Sequence, residues 1–463
     1  MKGKTSYTDI KMTGPLLLVY LPPELCQFIY KYCATNDLKN LSCCNSFFYA
    51  SVKPVLWSSL HISSRHLHQD LSVESCQYWL QNLIHTREFI CRDLSDITDN
   101  IDDEDKSFQT IVDACAQEAV EAVDLVSNYW WLADICTAFN NLKKLSITYR
   151  SGWSLQSQCA ILIGGLQNLT ELKMVGIKVR DDYLDLFQQL SCLKLKHLRF
   201  HISNSWAPED LLKAFSKLKS LEKLDIGWCS GAGWVDMSFL QGLTCIKEVH
   251  AHSFAQGFPS FLLPNLEKLN LSGLLLRDPN SLQNISNVES LTCLDLSRVR
   301  RLPVDLSMMG RITALRELYL DRSPLNDEGM AHLQNLVNLV KLNISATSVT
   351  DAGVECLRDM KELRELSCWE NNLTDEIVES SILPHLSHLE FIDFCFCYLS
   401  TKAQSRLIEG LKSLKTMHYT QDAHYADEEW IRLREIGSDK GVILIEIHTN
   451  EGVLENERRL SSF

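Results

Sequence analysis

A short apolar motif, L-x-x-L-x-L, recurs along this chain at a nearly constant spacing and constrains the fold more than any other feature. Isoleucine, methionine, phenylalanine or another apolar residue replaces leucine at some of its positions. Well-formed copies begin at Leu142, Leu169, Leu195, Leu221, Leu266, Leu291, Leu315, Leu339, Leu363, Leu389 and Leu414. Degenerate copies begin at Val120 and Ile246, and a last strand-like run covers 442–447. From Val120 to Val442 there are 13 steps of about 25 residues, so one structural unit is repeated many times.

This motif and this period are those of leucine-rich repeats. The motif leucines point inward, and the third, fifth and seventh positions face outward along a strand. We therefore predict an α/β solenoid, a leucine-rich-repeat horseshoe with a parallel concave sheet, over residues 118–448. Residues 449–463 are predicted to be a flexible tail. Such solenoids typically bind other proteins along the wall of strands.

Composition limits the classes of partner that the chain is expected to bind and the cellular compartment in which it is expected. The formal net charge is −14, from 45 Lys and Arg against 59 Asp and Glu, whereas nucleic-acid binders normally carry a basic surplus. No apolar run reaches the length of a membrane span. The 17 cysteines are scattered and no secretory signal is found, so we expect reduced cysteines and a cytoplasmic or nuclear location.

The N-terminal region carries a second set of motifs, over residues 20–62. They are Leu21-Pro22-x-Glu24-Leu25, then Ile29, Asp37-Leu38, Cys43-Cys44, Phe47-Phe48 and Leu56-Trp57. Proline at a helix start, a cap at Asp37 and helical spacing of the apolar residues predict three short helices. Residues 1–19 are predicted to be loose, and residues 63–117 to be a helical linker with an acidic loop.

This stretch resembles an F-box, and with the repeats the chain resembles the F-box/leucine-rich-repeat family. The resemblance implies the substrate-recognition subunit of a cullin-RING ubiquitin ligase of the SCF type. The F-box would bind the small Skp adaptor, and the cullin with it, while the repeats would bind a protein substrate. The matching positions implied to bind the adaptor are Leu21, Pro22, Glu24, Leu25, Ile29, Leu38 and Trp57. The alternative is a three-helix cap that seals the apolar end of the solenoid.

A substrate site is predicted on outward positions of the later repeats. Trp369 and Phe391 are large aromatic residues placed where core packing does not require them, as binding hot spots often are. Tyr319 lies on the same face. Nearby carboxylates would favour a basic partner segment; they are Asp321, Glu365 and Asp393. The alternative is that Trp369 folds over its neighbours and nothing docks there.

No catalytic chemistry is predicted. The sequence has no P-loop and no G-x-S-x-G, and we expect no cofactor. Outward histidines at 197, 201, 250 and 252 are expected to be solvated rather than metal ligands. The chain is therefore interpreted as a non-catalytic adaptor, with a repeat-based scaffold or inhibitor without a ligase role as the alternative.

Two features of the turns are also predicted. Asn326, Thr350 and Thr374 should cap the helices that return to the next repeat. Ninth-position residues should bond the backbone of the turn; they are Ser203, Cys229, Ser323, Thr347, Asn371 and Cys397.

Overall fold

The computed structural model describes residues 58–62, 86–91, 112–113, 115, 119–127, 129–149, 157–177, 183–203, 213–228, 237–252, 263–274, 276, 279–300, 306–420 and 427–447. The chain divides into two compact units, Met1–Leu195 and Lys196–Phe463. Each unit is described by itself.

The first unit contains a parallel sheet in which each strand pairs with the next along the chain. Its described strands are β1 (Ser59–Ile62), β2 (Glu88–Cys91), β3 (Ala122–Ser127), β4 (Lys144–Tyr149) and β5 (Glu171–Ile177). Three return helices follow β3, β4 and β5: α1 (Tyr129–Ala138), α2 (Ser157–Gly164) and α3 (Tyr183–Leu190). Strands β1 and β2 precede residue 118, where the sequence analysis starts the solenoid. Their segments, SLHI and EFIC, lack the leucine spacing that marks the later repeats.

The second unit continues the same pattern with shorter strands, all parallel and paired in chain order. The strands are β6 (His197–Ile202), β7 (Lys223–Trp228), β8 (Glu248–His252), β9 (Lys268–Asn270), β10 (Cys293–Asp295), β11 (Glu317–Tyr319), β12 (Lys341–Asn343), β13 (Glu365–Ser367), β14 (Phe391–Asp393), β15 (Thr416–Tyr419) and β16 (Ile443–Glu446).

The return segments of the second unit are mixed. The α-helices are α4 (Asp327–Ala331), α5 (Asp351–Val354), α6 (Leu383–His385), α7 (Thr401–Gly410) and α8 (Asp427–Lys440). A π-helical turn spans Val378–Ile382. The 3₁₀ helices are Met237–Gly242, Pro279–Asn287, Met309–Arg311 and Glu355–Asp359.

The core is built from the motif leucines, which pair with each other across neighbouring strands. Leu342 pairs with Leu318 on one side and Leu366 on the other, and only 2% of its surface is exposed. Burying one such side chain contributes about 1.5–3 kcal/mol. The predicted solenoid, with motif leucines inward and a parallel sheet, is confirmed.

The chain turns sharply at the eighth position of the regular repeats. Residues there adopt a left-handed backbone with φ between 52° and 72°, namely Gly273, Arg298, Arg322, Ala346, Glu370 and Phe396. This conformation costs about 1–2 kcal/mol for a residue other than glycine. It lets the backbone N–H bond the next repeat, as Arg322 N does with Ser345 O at 2.8 Å. These hydrogen bonds extend the backbone pairing of the sheet beyond the ends of the strands. They also offset the cost of the left-handed conformation.

Ninth-position side chains bond the turns of the regular repeats, as predicted. Asn371 Nδ2 donates to the carbonyl oxygens of Ile344 and Cys368. Similar bonds to turn carbonyls are made by Ser323, Thr347 and Cys397. The prediction is wrong for Ser203, whose buried hydroxyl has no hydrogen-bond partner among the described residues. Cys229 lies outside them.

The predicted helix caps are only partly correct. Asn326 Oδ1 accepts from Gly329 N at 3.0 Å, so it caps α4. Thr350 makes no side-chain cap bond. Its hydroxyl donates to Asp327 Oδ2 of the preceding repeat at 2.6 Å. Thr374 and Ser400 donate to the preceding repeat in the same way, through Asp351 and Asp375, and their hydroxyls also accept from the backbone N–H groups of Glu376 and Ala403.

The last described repeat also follows the prediction. Helix α8 precedes the last strand, and Trp430 and Leu433 on it are buried. Ile436 is only partly buried. Strand β16 then pairs with β15.

Candidate functional site

The outer face of the second unit's sheet is the side away from the motif leucines, and it carries charged, polar and aromatic side chains. They come from the third, fifth and seventh motif positions. Three neighbouring regions differ in character: charged at β6–β8, polar at β9–β12 and aromatic at β13–β16. The sequence analysis placed its substrate site across the last two.

The polar region is a continuous hydrogen-bonded row, here called the carboxylate ladder: Asn270, Asp295, Ser297, Asp321 and Asn343. Asn270 Nδ2 donates to Asp295 Oδ2 at 2.9 Å, and Ser297 N donates to Asp295 Oδ1 at 2.8 Å. Ser297 Oγ then donates to Asp321 Oδ1 at 2.6 Å, and Asn343 Nδ2 to the same oxygen at 3.1 Å. The ladder therefore satisfies its own donors and acceptors.

Burial dominates the electrostatics of the two ladder carboxylates. It raises the pKa of Asp295 to about 6, although hydrogen bonds from Ser297 act in the opposite direction. Burial likewise raises the pKa of Asp321. Asp321 lies on the outer face, but it is not available to the basic partner segment that the sequence analysis expected. Neighbouring repeats put hydrogen-bond partners beside it, so it is buried.

Trp369 starts the aromatic region, here called the aromatic patch: Trp369, Phe391, Phe396, His418, Ile445 and Ile447. Trp369 is only 8% exposed and packs with Cys395 and Ile447. The Phe396 ring meets it edge-on, with centroids 5.9 Å apart, and the Arg322 guanidinium lies 5.5 Å from its ring centroid. The expectation that packing does not need Trp369 is therefore wrong: it folds over its neighbours.

Phe391 is half-buried on the adjoining strand and meets the ring of His418 edge-on, with centroids 4.9 Å apart. His418 Nδ1 lies 3.1 Å from Asp393 Oδ2, and Cys395 N donates to Asp393 Oδ1 at 3.0 Å. Asp393 is thus buried and engaged within the chain, contrary to the expectation of an exposed anion.

Two ring nitrogens in the aromatic patch are buried without a hydrogen-bond partner among the described residues: Trp369 Nε1 and His418 Nε2. Such a group costs about 1–3 kcal/mol when left unpaired. Neighbouring Ile443, the first residue of β16, is 63% exposed. Because both nitrogens are buried, the surface that the patch presents is apolar, as the anchor regions of protein interfaces often are.

The remaining predicted substrate residues are tied to neighbours. Tyr319 is half-buried, and its hydroxyl donates to Glu317 Oε2 at 3.1 Å. Burial raises its pKa. Glu365 forms an ion pair with Lys341 at 3.2 Å. Of the predicted set, Phe391 and Asp393 both contact His418, while Trp369 packs with Cys395 and Ile447.

Phe396, Ile445 and Ile447 are site residues that the sequence analysis missed. Phe396 occupies the left-handed eighth position, and its aromatic character there was the available signal. Ile445 pairs with His418 in register. Aligning the last strand with the motif would have placed both isoleucines on the outer face.

The predicted adaptor-binding residues all lie outside the described residues. They are Leu21, Pro22, Glu24, Leu25, Ile29, Leu38 and Trp57.

Among the described residues, no group of three or more His, Cys, Asp or Glu side chains is placed to hold a metal ion. In the same ranges, no helix has the length and apolar character that crossing a membrane requires.

Similar proteins were sought by sequence and by structure. No protein-family model and no curated protein matches the sequence. Solved structures similar to the chain include an internalin from Listeria monocytogenes, with 15% identity, 67% of this chain and 88% of that chain covered, and a TM-score of 0.43. The mouse RP105/MD-1 complex gives 17% identity, 73% and 51% coverage, and a TM-score of 0.42. A TDR receptor has 16% identity and a TM-score of 0.42, with 68% of this chain and 63% of that chain covered. The leucine-rich-repeat assignment rests on the chain's own motif and parallel ladder.

Proposed function

We propose that this chain is a non-catalytic protein-binding solenoid that uses the outer face of the second unit's sheet. The observation that carries the proposal is the aromatic patch, where half-buried Phe391 and exposed Ile443 leave apolar surface on the outer face. Leucine-rich-repeat sheets suit such a role because neighbouring strands present side chains in fixed rows about 4.8 Å apart.

The aromatic patch is the proposed partner site. Phe391→Ala should reduce capture of the enriched partner by at least tenfold, because truncating a central aromatic anchor typically costs 2 kcal/mol or more. Tyr398→Ala is the matched control, since exposed Tyr398 lies outside the patch, at a bridge with Thr374. Undiminished capture by Phe391→Ala would move the site off this patch.

The finer proposal is that the partner is a substrate and the chain is the receptor of a cullin-RING ubiquitin ligase in the cytoplasm or nucleus. It is supported by the F-box-like motifs of residues 20–62 ahead of the repeats. The mechanism would be proximity: the receptor raises the effective concentration of target lysines near a ubiquitin-loaded enzyme.

Copurification with the Skp adaptor and a cullin tests the finer proposal. Leu21→Ala with Pro22→Ala should abolish adaptor binding and leave the thermal unfolding of the repeats unchanged. Phe391→Ala should do the reverse, keeping the adaptor and losing the substrate. If the wild-type chain enriches a partner but never the adaptor, the scaffold or inhibitor role is the correct one.

A further inference from the structure

The charged region at β6–β8 of the second unit exposes cations above buried carboxylates. The side chain of Arg199 is 42% exposed, while that of its partner Asp225 is 4% exposed. Lys223 is likewise more exposed than its partner Glu248. His201 also lies on this face, partly exposed. A ligand that approaches the outer face here therefore meets the cationic and imidazole groups first.

Asp225 holds two of these groups in place. It accepts from Arg199 Nε at 2.5 Å through Oδ2, and its Oδ1 lies 2.7 Å from His201 Nε2. Burial opposes the ionisation of Asp225. The hydrogen bond to His201 and the nearby charges of His201, Arg199 and His250 outweigh it and lower the pKa to about 2, so the carboxylate is ionised at neutral pH.

The bond through Nε fixes the orientation of the guanidinium. Within the described residues, the terminal Nη groups of Arg199 have no hydrogen-bond partner. A planar guanidinium with these donors available matches a carboxylate in a two-bond geometry. A buried acid that orients an exposed ligand-binding side chain is a common supporting arrangement in binding sites.

The backbone beside His201 leaves room for the imidazole ring, because residue 227 is glycine. Gly227 faces it from β7, and a Cβ atom at Gly227 would lie 3.3 Å from three atoms of the His201 ring. A larger residue there would push the ring away from its present position. The position of His201 therefore depends on the absence of a side chain at this point.

Charge favours an acidic ligand here. Residues 196–252 contain seven Lys and Arg against six Asp and Glu, an excess of one positive charge, whereas the whole chain carries −14. This region therefore lacks the negative excess of the rest of the chain and repels an acidic segment least. Within it, Arg199 and Lys223 are each more exposed than the carboxylate they pair with, so a ligand carboxylate can approach the two cations.

We propose that Arg199, His201 and Lys223 form a binding site for carboxylate side chains in an acidic segment of a protein partner. This inference rests on the proposed function, because it names the chemistry of one segment that the solenoid would bind. Under this proposal the two regions of the outer face bind different parts of the partner: β6–β8 bind its acidic residues, and the aromatic patch binds its apolar residues.

Titration of the full chain with a fluorescent hexaglutamate peptide, followed by anisotropy at low salt, tests the site. Saturable binding is expected, and Arg199→Gln should weaken it about tenfold. Arg199→Lys keeps the charge but not the two-bond geometry, so it should weaken binding severalfold. Gly227→Ala leaves all charges unchanged and should also weaken binding by displacing His201. The unfolding midpoint of each variant shows whether it is folded.

Arg311→Gln is the matched control, since it removes one positive charge at a return segment of the same unit. It should bind like the wild type. Equal weakening by Arg311→Gln, or no saturable binding by the wild type, would overturn the proposal. So would binding of a phosphoserine peptide without binding of hexaglutamate, which would make the site one for phosphoryl groups. Because the peptide is titrated directly, failure here leaves the capture experiment with Phe391→Ala unaffected.

Discussion

The carboxylate ladder and the aromatic patch both bury polar residues at the fifth and seventh motif positions, a few strands apart, but the hydrogen bonding of those residues differs. In the ladder, Asn270, Asp295 and Asp321 are buried with their hydrogen bonds made within the chain. In the patch, Trp369 and His418 are buried, and one ring nitrogen of each has no hydrogen-bond partner among the described residues. The ladder stabilises the sheet through its own hydrogen bonds, whereas the patch offers a partner apolar surface at Phe391 and Ile443. The position in the repeat therefore does not decide the role; the residues on neighbouring strands do.

This contrast revises the chemistry of the partner expected at the aromatic patch. Two of the three carboxylates that favoured a basic partner, Asp321 and Asp393, are buried and engaged with their own neighbours. The third, Glu365, is paired with Lys341. Apolar contact with Phe391 and Ile443 is accordingly the main attraction that the patch offers.

The largest predicted effect tests whether Trp369 is part of the core. Trp369→Ala should lower the free energy of unfolding by about 3–5 kcal/mol, the range for truncating a buried aromatic side chain. Tyr398→Ala, at an aromatic residue that is 73% exposed, should change it by less than about 0.5 kcal/mol. Urea unfolding followed by circular dichroism measures both. Similar small losses in the two variants would mean that Trp369 behaves as a surface residue.

The next prediction concerns pH and the ladder. Burial raises the pKa of Asp295 from 3.8 to about 6, so the folded state binds this proton more tightly than the unfolded state. The contribution of Asp295 to stability should therefore fall as the pH rises from about 4 through about 6. Asp295→Asn does not titrate, so its stability relative to the wild type should improve by about 2 kcal/mol between pH 4 and pH 7.

Urea unfolding of both proteins at pH 4 and pH 7 measures the change. Taking the difference between the two proteins removes the contribution of other carboxylates, including Asp225 and Glu248, whose pKa values are lowered. A difference that does not vary with pH would show that Asp295 is ionised with its ordinary pKa, and that the ladder is open to solvent.

The sequence predicted the inward half of each repeat and not the outward half, for a physical reason. Inward positions need only be apolar, and a period of about 25 residues is enough to place Leu342 between its neighbours. Outward positions depend on specific partners one repeat away. Asp393 and His418 are 25 residues apart, and aligned repeats would have paired them. Trp369, which follows β13, also clusters with Ile447, which follows β16. The spacing of a single repeat does not reveal packing that extends over three strands.

The smallest predicted effect asks whether the turn beneath the two regions is the same. Gly273 follows β9 in the ladder, and Glu370 follows β13 in the patch; both have positive φ, 72° and 56°. A Cβ atom at Gly273 would meet nothing within 4 Å, so Gly273→Ala introduces backbone strain without a steric clash. It should lower the free energy of unfolding by about 1 kcal/mol.

Glu370→Gly relieves the same backbone strain at a residue whose side chain is exposed. Glycine also has more conformational freedom in the unfolded chain, which opposes folding by about 0.5–1 kcal/mol. Its net effect should be a stabilisation of about 0.5 kcal/mol. Opposite signs in thermal unfolding would establish one left-handed turn under both regions. Equal signs would mean that the turn after β13 is relaxed, and that the patch differs from the ladder in its backbone as well as in its side chains.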